Sequence, residues 1–271
     1  MNVTQYKGSQ TGGLSSANDR RPSPSIWADC PALEIASGIR DGIHIFDDFG
    51  NGPQVAAGAE ADYAGYRGFA DTGGSLADGG EWGGTLVASS DGDNEGAGIR
   101  TGVAPFQIDI GQGKFWFEAR VKTSTITDNK HGIILGLMES TAITATVPIT
   151  AAGAIADVNM VGFHRLETDG DYFDTVYKAN GVTQVTVKSD AVLLVADTYV
   201  KLGMVFDPST NVLKFYVNGV PLADSKTIPA ADGTDFPNDV RLGMVFHVLN
   251  ATATTPGSSE IDWWRAAQLA P

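Results

Sequence analysis

The chain has 271 residues and enough apolar content (42% hydrophobic) to bury a proper core, which excludes wholesale disorder. Eighteen Lys+Arg against 32 Asp+Glu leave a net charge of −14, a poor match for a phosphate backbone. Cys30 is the single cysteine, so neither an intrachain disulfide nor a multi-cysteine zinc site can form. No apolar run approaches the ~18 residues of a membrane span and no apolar signal core opens the chain. The expectation is therefore a protein without membrane or nucleic-acid partners.

Residues 1–30 differ from the rest. They carry Lys7, Arg20 and Arg21 against Asp19 and Asp29, which leaves −15 on the remainder. From Gln5 to Ser25 the only large apolar residues are Tyr6 and Leu14, too few to offset the entropy of ordering. The expectation is an extended arm that docks on another chain. Ile26 and Trp27 would be its apolar anchors, and Arg20 and Arg21 would pair with acidic groups of that partner. On this view the arm is dispensable for the stability of the body.

A short helix is predicted next. Asp29 or Cys30 can cap it, Pro31 suits its first turn, and Leu33, Ile35 and Ile39 form a partial apolar stripe that Gly38 or Gly42 ends. The arm and this helix make up residues 1–40, and residues 41–271 form one domain.

From Gly42 onward the apolar period is two. Phe115, Phe117, Ala119 and Val121 share one strand face, while Lys114, Trp116, Glu118, Arg120 and Lys122 share the other, which is expected to be solvated. Val200, Leu202, Met204 and Phe206 alternate likewise. A turn over 207–211 leads into Leu213, Phe215 and Val217, and Asn218-Gly219 is a strong turn signal. Further strands are predicted near 43–48, 84–90, 132–139, 159–166, 171–178, 182–188, 240–248 and 259–267. Leu202–Phe206 recurs as Leu242–Phe246, apolar on both faces, which requires either a covering layer or a subunit contact. The fold class is all-β: an antiparallel two-sheet sandwich of jelly-roll type. Its core should contain Phe115, Phe117, Val121, Leu202, Met204, Phe206, Leu213, Phe215, Leu242, Met244 and Phe246.

The segment TYVKLGMVFDPSTNVLKFYVNGVPL (198–222) resembles the laminin-G-like hairpin of the concanavalin A-like lectin/glucanase superfamily, and EIDWWRAAQLA (260–270) resembles its closing strand. This resemblance implies the fold and says little about activity. A second one bears on role. The segments IWADCPALEIASGIRDGIHIFDDF (26–49), KFWFEARVK (114–122) and IDWWRAAQ (261–268) are similar to structural proteins of tailed bacteriophages, which carry such jelly rolls as capsid decoration or minor head proteins. It implies a non-enzymatic virion protein on the outer side of the capsid or another exposed position. Its partners would be capsid or other virion proteins and further copies of itself in a homo-oligomer. A carbohydrate-binding lectin-like module with a host-surface glycan as ligand is the alternative, and a glycan hydrolase a more distant one.

Candidate sites are few. Laminarinase-like hydrolases of this fold place two glutamates on an E-x-D-x-E strand, one as nucleophile and one as acid/base. Here Glu260-Ile261-Asp262 is followed by Trp264 at the second position, so an edge or closing strand is expected instead. Glu118 with Arg120, and Glu139, could line a concave face, or form a solvated strand face with a cross-strand ion pair. His164 and His247 are expected to be hydrogen-bonded strand histidines, since a metal site needs adjacency and a third ligand. The run from Asp91 to Gly96 begins like a calcium loop, but Gly102 occupies the position of its bidentate carboxylate, which excludes an EF-hand and leaves an acidic turn as the expectation, with a looser calcium site of the laminin-G sort as the alternative. The run Glu167–Asp171 reads as an acidic turn. Trp27, Trp82, Trp116, Trp263 and Trp264 could offer a sugar-stacking platform, except that neighbours 263 and 264 must point to opposite faces. The sequons at Asn2 and Asn250 carry little weight. No catalytic residue, cofactor site or metal site is assigned.

Overall fold

The computed structural model describes residues 19–81, 83–127, 131–139, 148–150, 154–166, 170–230, 235–250 and 257–271. Two short helices come first, α1 (Pro24–Trp27) and α2 (Ala32–Ala36). Sixteen strands follow: β1 (Gly42–Asp47), β2 (Glu60–Tyr63), β3 (Tyr66–Ala70), β4 (Gly74–Asp78), β5 (Leu86–Ser90), β6 (Gly96–Thr101), β7 (Phe115–Thr123) and β8 (His131–Met138), then β9 (Met160–Arg165), β10 (Tyr172–Lys178), β11 (Val185–Leu193), β12 (Val200–Asp207), β13 (Val212–Val217), β14 (Val220–Thr227), β15 (Gly243–Asn250) and β16 (Gly257–Leu269).

They form two antiparallel sheets. The first runs β14-β13-β12-β7-β16-β5-β4, with β1 also on β16; the second runs β11-β10-β9-β8-β15-β6-β3-β2. Every core residue predicted above lies in one buried cluster between the sheets, as the period-two pattern requires. The sequence reading missed β2, β3, β4, β6 and β14. The first four are short and rich in Gly, Ala and Ser, so alternation is weak, and β14 carries Pro221 and a polar run. Strand β16 is central rather than an edge, because its first half pairs with β5, its second half with β1, and its other side with β7.

The predicted helix is shorter than expected and differently capped. Pro31 takes the N-cap position of α2 without a side-chain bond, and only Ile35 of the stripe is buried, with Leu33 81% and Ile39 79% exposed. Asp29 does not cap it, because its carboxylate accepts from the Trp116 indole at 2.9 Å and from Lys114 Nζ at 2.5 Å.

Both sheets carry a second apolar layer outside. Ile26, Trp27 and Ile35 pack on Trp116, Val205 and Ala267 over the first sheet. Ile149, Ile155 and Val158 pack on Phe69, Ile134, Met138, Met160, Val176, Val245 and Leu249 over the second. These layers explain the doubly apolar Leu202–Phe206 and Leu242–Phe246 strands without a subunit contact.

Candidate functional site

On β7 the alternation turns Trp116, Glu118, Arg120 and Lys122 away from the core, in line with Gly203 and Lys201 of β12 and with Arg265 and Trp263 of β16. The face is not solvated, contrary to expectation: Glu118, Lys201 and Asp262 are fully buried. Residues 19–27 cover it. The Ser23 backbone N–H and the Trp27 indole N–H both donate to Glu118 Oε2 at 2.8 Å. Lys201 Nζ donates to the carbonyls of Asp19 and Arg21, each at 3.1 Å. Arg20 pairs with Asp262, which also meets Arg120 at 2.5 Å. Burial pushes the Glu118 and Asp262 carboxyls up and the Lys201 amine down from their ordinary values.

A bulge places Asp262 between its two arginines. The β16–β7 register slips between Ile261 and Trp263, so Ile261 and Trp264 both enter the core although three residues apart.

The four arm residues named from the sequence therefore meet their own chain. Ile26 and Trp27 are 2% and 8% exposed in the cluster over Trp116. Arg20 also donates to the Gly84 carbonyl at 2.7 Å, and Arg21 pairs with Asp19 within the arm at 2.8 Å. A seat for the anchors exists on the body because Gly203 leaves room beside Glu118, where a Cβ would meet Ile26 Cδ1 at 2.5 Å.

Beside this seat lies an ionic network. Lys122 Nζ sits 2.7 Å from Glu81 and 3.0 Å from Glu260, and the Tyr199 hydroxyl donates to Glu260 at 2.7 Å. The Arg120 guanidinium lies 3.7 Å and the Lys122 ammonium 4.5 Å from the Tyr199 ring centroid. Lys122 holds the Glu81 carboxyl below its usual range. Trp264, at the place of a second glutamate, is fully buried against Phe49 and Tyr66 at 5.3 and 5.6 Å between ring centroids.

On the second sheet, His247, Ile134, His164 and Asp174 form one cross-strand row. The two histidines share a face but Ile134 separates them. His247 stacks on Phe69 at 5.5 Å and His164 Nε2 lies 2.9 Å from Gln184 Nε2. Among the described residues no group of three His, Cys, Asp or Glu is placed to hold a metal ion. Glu139, half-buried, accepts from the Asn159 backbone and side chain at 3.1 and 3.0 Å. It stands at the end of β8, apart from Glu118 and Arg120.

Sequence reasoning missed a polar bridge between the sheets. His131 Nε2 lies 2.9 Å from Ser259 Oγ and its Nδ1 3.2 Å from Asn250 Oδ1, while Asn250 Nδ2 donates to the Ser90 carbonyl at 2.7 Å. The order hydroxyl–imidazole–amide is that of a nucleophilic triad. All three residues are at most 2% exposed, and the bridge joins strands of the two sheets. Burial lowers the His131 pKa to about 4. Nearby Arg165, fully buried, donates to the carbonyls of Gly170, His131, Thr127 and Thr125 at 2.7–3.4 Å.

The acidic run after Asp91 forms the β5–β6 turn, with Asn94 at φ 55° and the Glu95 carbonyl accepting from Ser90 Oγ at 2.7 Å. A cleft of about 310 Å³ opens beside it, lined by Thr72, Gly73, Ser75, Ser89, Ser90 and Asp91 among others. Trp82, Asn2 and most of the Glu167–Asp171 run lie outside the described residues. Trp116 and Trp263 are buried like Trp264, so these three form no open platform, and Asn250 is fully buried. Cys30 is half-buried against Trp27, and burial pushes its thiol up to about 11.

No protein-family model matches the chain, and no curated protein does. Solved structures do match in fold. A protein of unknown function from Shewanella oneidensis MR-1 superposes with a TM-score of 0.54 at 14% identity, over 89% of this chain and 94% of that one. The catalytic domain of an endo-1,3-β-glucanase (laminarinase) from Thermotoga petrophila RKU-1 gives 0.52 at 14% identity over 85% and 99%. Peanut lectin gives 0.51 at 12% over 85% and 99%. The fold is thus the concanavalin A-like lectin/glucanase jelly roll, a fold that enzymes and lectins share.

Proposed function

We propose that this chain is a non-enzymatic structural protein of a tailed-bacteriophage virion, a capsid decoration or minor head protein. The observation that carries the reading is that the chain's own residues close over both sheets, Ile26, Trp27 and Ile35 over one and Ile149, Ile155 and Val158 over the other. A sandwich closed in this way suits assembly through its rim rather than catalysis on a sheet face. The three segments similar to phage structural proteins also form one unit: 26–49 supplies the arm cover and β1, 114–122 supplies β7, and 261–268 supplies β16 between them. The net charge of −14 favours the outer side of a shell, away from packaged nucleic acid.

Mass spectrometry of purified particles tests the proposal. The chain should be present at stoichiometric copy number, and its absence from intact particles would overturn the reading. The hydroxyl-lined cleft at Ser75, Ser89 and Asp91 favours a second reading, a glycan-binding module. Saturable, sugar-competed binding on a glycan array, lost on Asp91→Ala, would establish it instead.

A further inference from the structure

The sheet edges are not alike. Natural sheets protect edge strands with proline, lysine, bulges, short length or a covering segment, because unpaired N–H and C=O groups recruit other strands. Strand β14 carries Pro221 and Lys226 and a register shift against β13. Strand β11 carries Lys188, two register shifts against β10, and Asp190 at φ 51°. Strand β4 is covered by the bridge from Val55 to Leu76, and β2 has four residues with Glu60 and Asp62.

Strand β1 has no proline, lysine or register shift, although α2 packs beside its Gly42 end, where a Cβ would lie 3.4 Å from Ile35 Cδ1. Its sequence GIHIFD holds an unbroken six-pair register with β16 and contains no proline or lysine. None of its six residues is buried, and among the described residues its backbone has no partner on the side away from β16. Ile43 and Ile45 face the core, so the edge is locked in register by packing on one face. Phe46 is 37% exposed, and Leu33 and Ile39 stand exposed on the preceding segment.

We propose that β1 is the pairing edge of a two-fold homodimer, in which the β1 strands of two copies run antiparallel and join the first sheets into one. The strand's own charges select a second copy as the occupant. Arg40 precedes β1 with a guanidinium 54% exposed and only a 3.7 Å contact to Glu34. Asp48, exposed, follows it. Antiparallel pairing centred on His44 brings Arg40 of each copy beside Asp48 of the other. Asp41 and Asp47 meet on the other face, where the Asp47 carboxylate is already turned onto the Phe49 N–H at 2.7 Å. A two-fold contact doubles each such pair.

Sedimentation velocity with single and double charge variants tests this. The wild-type chain should sediment as a dimer, Arg40→Glu and Asp48→Lys should each shift it to monomer, and the double variant should restore the dimer. Hydrogen exchange provides an independent readout that needs no variant: the 42–47 amides should slow as concentration rises. A wild-type chain that stays monomeric up to its solubility limit would overturn the proposal. So would a dimer that both single variants leave intact, or one in which exchange over 42–47 does not change with concentration. The assignment is independent of the virion reading, since either result is obtained on the purified chain alone.

Discussion

The Trp27 indole N–H donates to the Glu118 carboxylate at 2.8 Å, across 91 residues of sequence. This bond ties the segment expected to reach for another chain to the centre of its own first sheet. Trp27 also stacks under the Arg265 guanidinium, 4.1 Å from the ring centroid. Replacing Trp27 by Ala should cost about 3–5 kcal/mol in chemical denaturation. Trp27→Phe should cost less, because ring packing survives and the Ser23 N–H still serves Glu118.

Removing residues 1–27 should destabilise the sandwich, contrary to the expectation drawn from composition. Deletion uncovers Glu118, Lys201 and Asp262 together with the Trp116 face. A loss of even ~3 kcal/mol lowers Tm of a chain this size by roughly 6–12 °C. Differential scanning calorimetry of the truncated chain reads this directly. An unchanged Tm would show that the arm contributes nothing to the fold.

Asp262 holds two arginines at a bulge. Asp262→Ala leaves Arg120 buried without that carboxylate and should cost about 3–5 kcal/mol, in line with broken buried pairs. Arg20→Ala should cost clearly less, since Arg20 is partly exposed and Asp262 keeps Arg120. Urea midpoints of the two variants give the comparison.

Mild acid should weaken the fold through its buried histidines. His131 has its pKa lowered by burial to about 4, against an ordinary value of 6.5. Between those values the unfolded chain binds the proton that the folded chain refuses, so stability falls as pH drops from 6.5 towards 4. The full effect for one such group is on the order of 3 kcal/mol. His44, lowered to about 4 by burial and the neighbouring Arg265, acts with the same sign. In His131→Gln the slope of stability against pH over this window should flatten, measured by urea denaturation at several pH values.

Much of the core was legible because alternation is a local signal. Phe115, Phe117, Met204 and Phe215 each lie where period two put them, facing between the sheets. What covers the outer faces was not legible. A strand reading Trp-Glu-Arg-Lys on one side looks solvated, and nothing local announces that residues 95 positions earlier close over Glu118. Lys201 inside an otherwise apolar strand was the available clue, since a lysine there needs a partner wherever it points. The His131–Ser259–Asn250 bridge was likewise hidden, because its members come from three strands that meet only after both sheets have formed. The bulge at Asp262 shifted the face of Trp264, which simple alternation does not foresee.

The central proposal, that this closed sandwich is a building block of a virion, is tested most directly by cryo-electron microscopy of tailed-phage particles purified from the source of the sequence. The account predicts density for a two-layer sandwich on the outward side of the particle, with the arm folded on its own first sheet. A complete reconstruction in which other chains account for every outward density would contradict it.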